Sequence, residues 1–187
     1  MSKGETEILE QSPLINWTIF QELLMMDEDE EGFAQSLVQT FVEQADTIFK
    51  DIDNILNANI ANKSSSETTS TDTNTQEQSQ QTSTETHESQ LPSTTTQADS
   101  EDPLKKLSSL GHYLKGSAAA LGLHKVQAEC ERIQNYGNKI PFDDYAPAQN
   151  AQTDQDWLNC IYEALNNAKI YYGESRKLLA EFFGAEI

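Results

Sequence analysis

The sequence of 187 residues carries 12 lysines and arginines against 31 aspartates and glutamates, which gives a formal net charge of −19. Phosphate backbones and anionic membranes would repel such a chain, so binding to nucleic acid or to a membrane surface is not expected. No apolar run approaches the roughly 18 to 20 residues of a membrane span, and the acidic N-terminus lacks a signal-peptide layout. We therefore expect an intracellular soluble protein.

One internal segment, residues 63–102, differs in composition from the rest of the chain. Its 40 residues include 9 serines, 11 threonines, 6 glutamines and 8 acidic residues, and only Leu91 and Ala98 are apolar. Because such a segment buries too little surface to offset its ordering entropy, we predict a disordered insert. We expect a passive linker; a regulatory segment phosphorylated on serine and threonine is the alternative.

The remaining residues have the size of a single domain. We divide the chain into a flexible N-terminus over residues 1–13, a helical domain in two parts over residues 14–62 and 103–187, and the insert between them.

Helical periodicity dominates the parts outside the insert, and sustained strand alternation is absent. A short helix over residues 16–26, with Asn16 as its N-cap, is apolar nearly all round. The longest helical segment covers about residues 32–59. Its apolar positions alternate in spacing between four and three: Ala34, Val38, Phe41, Ala45, Ile48, Ile52 and Ile55.

Three further helices are predicted after the insert. Asp102 and Pro103 indicate a helix start, and the apolar spacing continues to Leu121. A helix over residues 124–138 and another over 155–183 are separated by a loop that contains two prolines. Together these seams predict an all-α fold, an antiparallel four-helix bundle with a short extra N-terminal helix.

Familiar active-site strings are missing, including glycine-rich phosphate loops and H-E-x-x-H, so an autonomous nucleotide-using kinase is not expected. Cys130 and Cys160 are too few for a disulfide framework, and we expect buried reduced thiols. His87 lies in the insert, and His124 begins a helix without a recognisable ligand set. A metal site of His112, His124 and a cysteine would need different helix faces to converge, and we expect none.

His112 has the most informative surroundings of the three histidines. It lies about 100° around its helix from Gly111 of the apolar seam, so we expect it to be exposed or at the rim. Lys115 and Gly116 follow one turn later on the same side. The ammonium would neutralise an added phosphoryl group, and the glycine would let a partner's backbone approach a nucleophilic ring nitrogen. An incidental surface histidine beside a packing glycine is the alternative.

Residues 112–123, HYLKGSAAALGL, resemble the phosphorylation motif of histidine-containing phosphotransfer proteins. Residues 16–19 and 130–135 resemble the fungal branch of that family, the phosphorelay intermediates of osmotic and oxidative stress signalling. The resemblance extends from about Leu14 to Phe183, with the insert between the second and third helices.

The resemblance implies that His112 accepts a phosphoryl group from the receiver-domain aspartate of a hybrid sensor histidine kinase and passes it to downstream response regulators. It implies supporting roles for Lys115, Gly116 and Gln134, whose side chain would hold the imidazole. It implies no cofactor in this chain, since Mg²⁺ belongs to the receiver domain, and a monomer that works in cytoplasm and nucleus. The implied docking surface is apolar and comprises Ile19, Leu23, Met26, Phe33, Leu37 and Tyr113.

Two points stay open in the sequence. Similar proteins often carry a basic residue where this chain has Asn138, and Lys139 is a candidate to compensate for it. The apolar docking residues have an alternative role in covering the end of the bundle. For the whole protein, the alternative function is a non-catalytic helical adaptor that binds receiver domains.

Overall fold

The structure is a computed structural model that describes residue 7 and the ranges 9–28, 32–64 and 102–187. No strand occurs in these ranges, which confirms the all-α prediction. A 3₁₀ turn, Met26–Glu28, follows the first of the labelled helices. In chain order, the helices are α1 (Trp17–Met25), α2 (Phe33–Ser64), α3 (Pro103–Ala120), α4 (His124–Gly137), α5 (Ala146–Gln149) and α6 (Asp154–Phe183).

The helices α2, α3, α4 and α6 form the predicted four-helix bundle. The most extensive contacts are those of α3 with α4 and of α4 with α6. The close approaches of α3 and α4 show that these helices run in opposite directions, because Gly111 lies against Cys130 and Gln134 whereas Gly137 lies against Leu104. None of the described helices combines the length and the apolar composition that a membrane crossing needs.

The long helix α2 buries the predicted seam from Ala34 to Ile52. At its far end the seam departs from the prediction: Ile55 is only partly buried, and Leu56 is 1% exposed. A straight helix has about 3.6 residues per turn and drifts by about 20° per heptad, so after three heptads the next residue faces the core.

Several predicted boundaries differ from the observed ones. Lys63 and Ser64 continue α2, and Asp102 is the N-cap of α3, where its carboxylate accepts a hydrogen bond from the Leu104 backbone nitrogen at 3.0 Å. Three residues assigned to the insert thus belong to the flanking helices and their caps, and residues 65–101 lie outside the described residues. At the N-terminus, Leu9 is fully buried in the core, because its apolar side chain covers part of the bundle rather than lying in solvent.

The segment between α4 and α6, predicted as a loop, contains the short helix α5. Pro147 stands in its first turn, where the missing backbone N–H of proline removes no helical hydrogen bond. The following helix α6 begins with a capping box, in which Thr153 and Asp156 bond each other's backbone nitrogens. Gly173 lies inside α6 without ending it, in line with the continuous helix predicted over residues 155–183.

Candidate functional site

Two glycines bring the backbones of α3 and α4 into contact. A β-carbon added at Gly111 would lie 2.8 Å from the Gln134 backbone nitrogen and 2.9 Å from the Cys130 carbonyl oxygen. A β-carbon added at Gly137 would lie 2.5 Å from the Leu104 carbonyl oxygen. Any larger residue would force the helices apart. These two contacts fix the register of α3 against α4 over residues 104–111, the part of α3 that ends immediately before His112.

His112 is exposed on α3, as predicted, and it makes no hydrogen bond with the described residues. One turn later, Lys115 forms an ion pair with Glu131 of α4, with Nζ to Oε1 at 3.4 Å. This distance is longer than the roughly 2.7 to 2.9 Å of a close charge-assisted bond, so the ammonium is only loosely engaged. It can exchange the carboxylate for an anionic group added to the imidazole.

Gly116 lies in open space. A β-carbon at this position would have no neighbour within 4 Å, in contrast to Gly111. Packing inside the chain therefore gives no reason for a glycine here, and glycine in a helix interior costs about 1 kcal/mol relative to alanine. Clearance for an approaching molecule, the reason expected from the sequence, stays a prediction.

Gln134, predicted to hold the imidazole, lies on α4 beside Gly111, but it makes no hydrogen bond with His112. Its Oε1 is buried and has no partner among the described residues. A buried amide oxygen without a donor is destabilising, since it has lost its water. An amide oxygen accepts hydrogen bonds but cannot donate them, so the predicted contact requires the imidazole to turn its N–H toward α4.

Asn138 joins the two helices through its uncharged side-chain amide. Its Nδ2 donates to the Ser108 Oγ at 2.7 Å and to the Gln134 carbonyl oxygen at 3.0 Å. Its Oδ1 accepts a hydrogen bond from the Lys105 Nζ at 3.0 Å. The Ser108 hydroxyl also donates to the Gln134 carbonyl oxygen, at 2.9 Å. The Asn138 side chain therefore links Lys105 of α3 to the C-terminal end of α4.

Lys139, the candidate to compensate for Asn138, is paired with an acidic residue at the start of α6. Its Nζ pairs with the Asp154 carboxylate at 2.7 Å, and this hydrogen bond raises the pKa of Lys139. The lysine has a φ of 60°, a left-handed backbone conformation that residues other than glycine rarely adopt. The chain leaves α4 in that conformation, and the Lys139 ammonium is directed to the start of α6.

The loop behind Lys139 is fastened to α4 by Arg132. The guanidinium lies 4.6 Å from the Tyr145 ring centroid and pairs with Asp143 at 3.0 Å. The hydroxyl of the buried Tyr136 donates to Asp143 at 2.7 Å, and burial together with this carboxylate raises the pKa of Tyr136. These contacts hold the segment that follows Asn138 against the bundle.

The N-terminal helix α1 is attached to the turn that follows α3. The Asn16 backbone nitrogen donates to the Gly122 carbonyl oxygen at 2.7 Å, and the Asn16 side chain caps α1, as predicted. Gly122 has a φ of 70°, and a β-carbon there would lie 3.3 Å from that of Ile19. The left-handed backbone and the close contact both explain why this position is a glycine. The contact places Ile19 of α1 next to the end of α3.

Most of the predicted docking residues are accessible. Met26 and Tyr113 are each 53% exposed, and Ile19, Phe33 and Leu37 are partly buried. Met25, which was not among the predicted docking residues, is 62% exposed, more than any other large hydrophobic residue whose burial the structure describes. The sequence feature that could have indicated the exposure of Met25 is the apolar character of α1 on nearly every side. A docking role for this surface stays a prediction.

Leu23 is the exception within the predicted docking surface. It is 7% exposed and belongs to the hydrophobic core, so it cannot make a large contact with a partner. Because α1 is apolar nearly all round, the sequence could not decide which of its faces packs inward. Leu23 instead packs in the core, and its carbonyl oxygen accepts a hydrogen bond from the backbone N–H of the exposed Met26.

The remaining candidate residues serve the interior. His124 begins α4, partly buried, and its Nδ1 is buried without a partner among the described residues. Cys130 and Cys160 are buried and form no disulfide, as predicted. Burial, with a smaller contribution from Glu129, raises the pKa of Cys130 to about 12. In the described ranges no group of histidine, cysteine and acidic residues can hold a metal ion.

The described residues thus form a helical bundle that presents the exposed, unbonded imidazole of His112 beside an open glycine. The family model of the Hpt domain matches residues 36–168 of this sequence. The chain belongs to the Hpt-domain family. It is 39% identical over 145 residues to the phosphorelay intermediate protein YPD1 of Candida albicans, a match that covers 78% of this chain and 55% of that protein.

Other relatives agree with this assignment. Multistep phosphorelay regulator 1 of Schizosaccharomyces pombe is 31% identical over 188 residues, covering 96% of this chain and 45% of that protein. The chain thus spans about half the length of these curated relatives. Among solved structures, Saccharomyces cerevisiae Ypd1 in co-crystals with the receiver domain of its downstream response regulator Ssk1 matches with a TM-score of 0.63 and 27% identity. That match covers 94% of this chain and 98% of the other.

Proposed function

We propose that the protein is a phosphorelay intermediate that carries a phosphoryl group on His112. It accepts the group from the receiver-domain aspartate of a hybrid sensor histidine kinase and delivers it to the aspartate of a downstream response regulator, in osmotic and oxidative stress signalling. The observation that carries the proposal is the pairing of an exposed, unbonded imidazole with the open space at Gly116. Membership of the Hpt family and the co-crystal of the related Ypd1 with a receiver domain support it.

In phosphoryl transfer, the main contribution of this chain is to position the His112 imidazole. The lone pair of a neutral ring nitrogen of His112 attacks the phosphorus of an aspartyl phosphate. As the P–N bond forms, the P–O bond to the aspartate breaks and its electron pair stays on the released carboxylate, while the other ring nitrogen keeps its proton. The reverse sequence loads the next receiver. Positioning and charge stabilisation account for most catalysis in phosphoryl transfer, and Lys115 supplies a cation one turn from the imidazole.

The catalytic acids and Mg²⁺ are proposed to reside on the receiver domain, and this chain is proposed to need no cofactor of its own. We further propose that it is a monomeric carrier without autonomous kinase or phosphatase activity, and that it works in the cytoplasm and the nucleus. Incubation with ATP and Mg²⁺ alone should leave it unphosphorylated. A fluorescent fusion present in only one of the two compartments would contradict the proposed localisation.

Substitution of His112 by glutamine tests the proposal. Purified His112→Gln protein, mixed with a phosphorylated receiver domain, should take up no phosphoryl group, whereas the control His124→Gln should take it up as the parent does. His112 is exposed, so helicity and melting temperature should be unchanged. Phosphoryl uptake by His112→Gln would contradict the proposal. Receiver binding without any uptake by the unsubstituted protein would favour the adaptor alternative instead.

A further inference from the structure

The part of the chain that carries His112 is positively charged, although the whole is strongly acidic. Residues 102–139 contain six basic and three acidic residues, whereas the rest of the chain contains six basic and 28 acidic residues. The cations of this segment differ in how they are paired. Lys115 pairs with Glu131, Arg132 with Glu129 and Asp143, and Lys139 with Asp154.

Lys105 differs from these three because its side-chain partner is a neutral amide. Its Nζ donates to the Asn138 Oδ1 at 3.0 Å, and it forms no ion pair with a described carboxylate. Asn138 is itself fixed by the Ser108 hydroxyl at 2.7 Å and by the Gln134 carbonyl oxygen at 3.0 Å. The ammonium is therefore held in place while its charge is left uncompensated.

Lys105 and His112 share one face of α3. Seven residues correspond to nearly two turns, so the two side chains lie within about 20° around the helix and their α-carbons are about 10.5 Å apart along it. Helical side chains lean toward the N-terminus of their helix. This tendency places the imidazole of His112 over the turn of Ser108 and Ser109. The bond to Asn138, which also binds the Ser108 hydroxyl, holds the Lys105 ammonium near that turn.

We propose that Lys105, held by Asn138, is a second positioned cation for the phosphoryl group on His112. Along α3, Lys115 lies one turn after His112 and Lys105 lies two turns before it, so the phosphoryl group would lie between the two ammonium groups. Lys105 thereby shifts the equilibrium of phosphoryl transfer toward phosphohistidine on this protein and away from phosphoaspartate on the receiver domain. The inference rests on the proposed function, and it adds a residue that no sequence pattern had indicated.

The matched comparison is Lys105→Gln against Lys106→Gln. Both substitutions remove one charge from an exposed lysine of α3, but Lys106 lies about 120° around the helix from His112. Each variant would be mixed with a receiver domain that had been phosphorylated with acetyl phosphate and freed of it. The ratio of phosphohistidine to phosphoaspartate at equilibrium would then be measured at low and at high salt. Lys105→Arg keeps the charge and serves as the conservative variant.

Lys105→Gln should lower this ratio about two- to fivefold at low salt, and the difference should shrink at high salt because charges this far apart are screened. Lys105→Arg and Lys106→Gln should keep the parent ratio. Equal losses in Lys105→Gln and Lys106→Gln, or no loss in either, would overturn the inference while His112 is still labelled. Failure of the unsubstituted protein to label His112 would instead overturn the proposed function.

Discussion

The backbones of Gly111 and Gln134 touch, since a β-carbon on Gly111 would lie 2.8 Å from the Gln134 nitrogen. This contact sets the position of α3 against α4 one residue before His112. Gly111→Ala should therefore destabilise the fold by about 1 to 3 kcal/mol, because the added methyl group has no room and the helices must separate. Urea unfolding checks this prediction. An unchanged free energy of unfolding would show that the helix pair adapts without strain.

Gly116 should respond in the opposite way. Its surroundings are open, as are those of Gly173 on α6, so glutamine at either position should raise the free energy of unfolding by about 0.5 kcal/mol through its better helix propensity. Only Gly116→Gln should slow phosphoryl transfer, since only position 116 lies one turn from His112. Transfer kinetics with one receiver domain compare the two variants. Equal rates would show that no partner approaches the helix at Gly116.

Leu23 is buried and Met26 is exposed, so substitutions at these two positions should affect stability and docking separately. Leu23→Ala should lower the free energy of unfolding by about 2 to 5 kcal/mol, as large-to-small changes in a core do. Met26→Ala removes an exposed side chain and should change stability by less than about 0.5 kcal/mol. It should weaken receiver binding by about 1 to 3 kcal/mol. Titration calorimetry and urea unfolding measure the two effects, and unchanged binding by Met26→Ala would remove this residue from the docking surface.

The fold should lose stability in alkaline solution partly through Cys130. Burial raises the pKa of this thiol from 9.0 to about 12, so the unfolded chain ionises at lower pH than the folded one. The stabilising contribution is complete below pH 9 and is lost as the pH rises toward 12. Cys130→Ala should therefore show a smaller decline in unfolding free energy between pH 8 and pH 10 than the parent. Identical declines would assign the alkaline sensitivity to other groups.

Local patterns in the sequence were sufficient to predict the bundle. The alternating spacing from Ala34 to Ile52 reports a buried face directly, because neighbours on a helix share one environment. The same spacing failed at Ile55, where the drift of a straight helix moved the buried position to Leu56. The exposure of His112 also followed from its offset relative to Gly111.

Contacts between distant residues could not be predicted in this way. The bond from Lys105 to Asn138 joins positions 33 residues apart, and it depends on the register that two close glycine contacts impose. The burial of Leu23 depends on which face of an almost uniformly apolar helix meets the bundle. The pairing of Lys139 with Asp154 likewise requires the turn after α4, which no spacing rule indicates.

The most direct test of the account is to locate the phosphoryl group itself. Purified protein would be mixed with a phosphorylated receiver domain and digested at neutral pH, and the peptides would be mapped by mass spectrometry. The account predicts one labelled site at His112, in a bond that is labile to acid and stable to base, as expected for a phosphoramidate. Label on another residue, or binding of the receiver with no label, would contradict it and leave His112 an ordinary surface histidine.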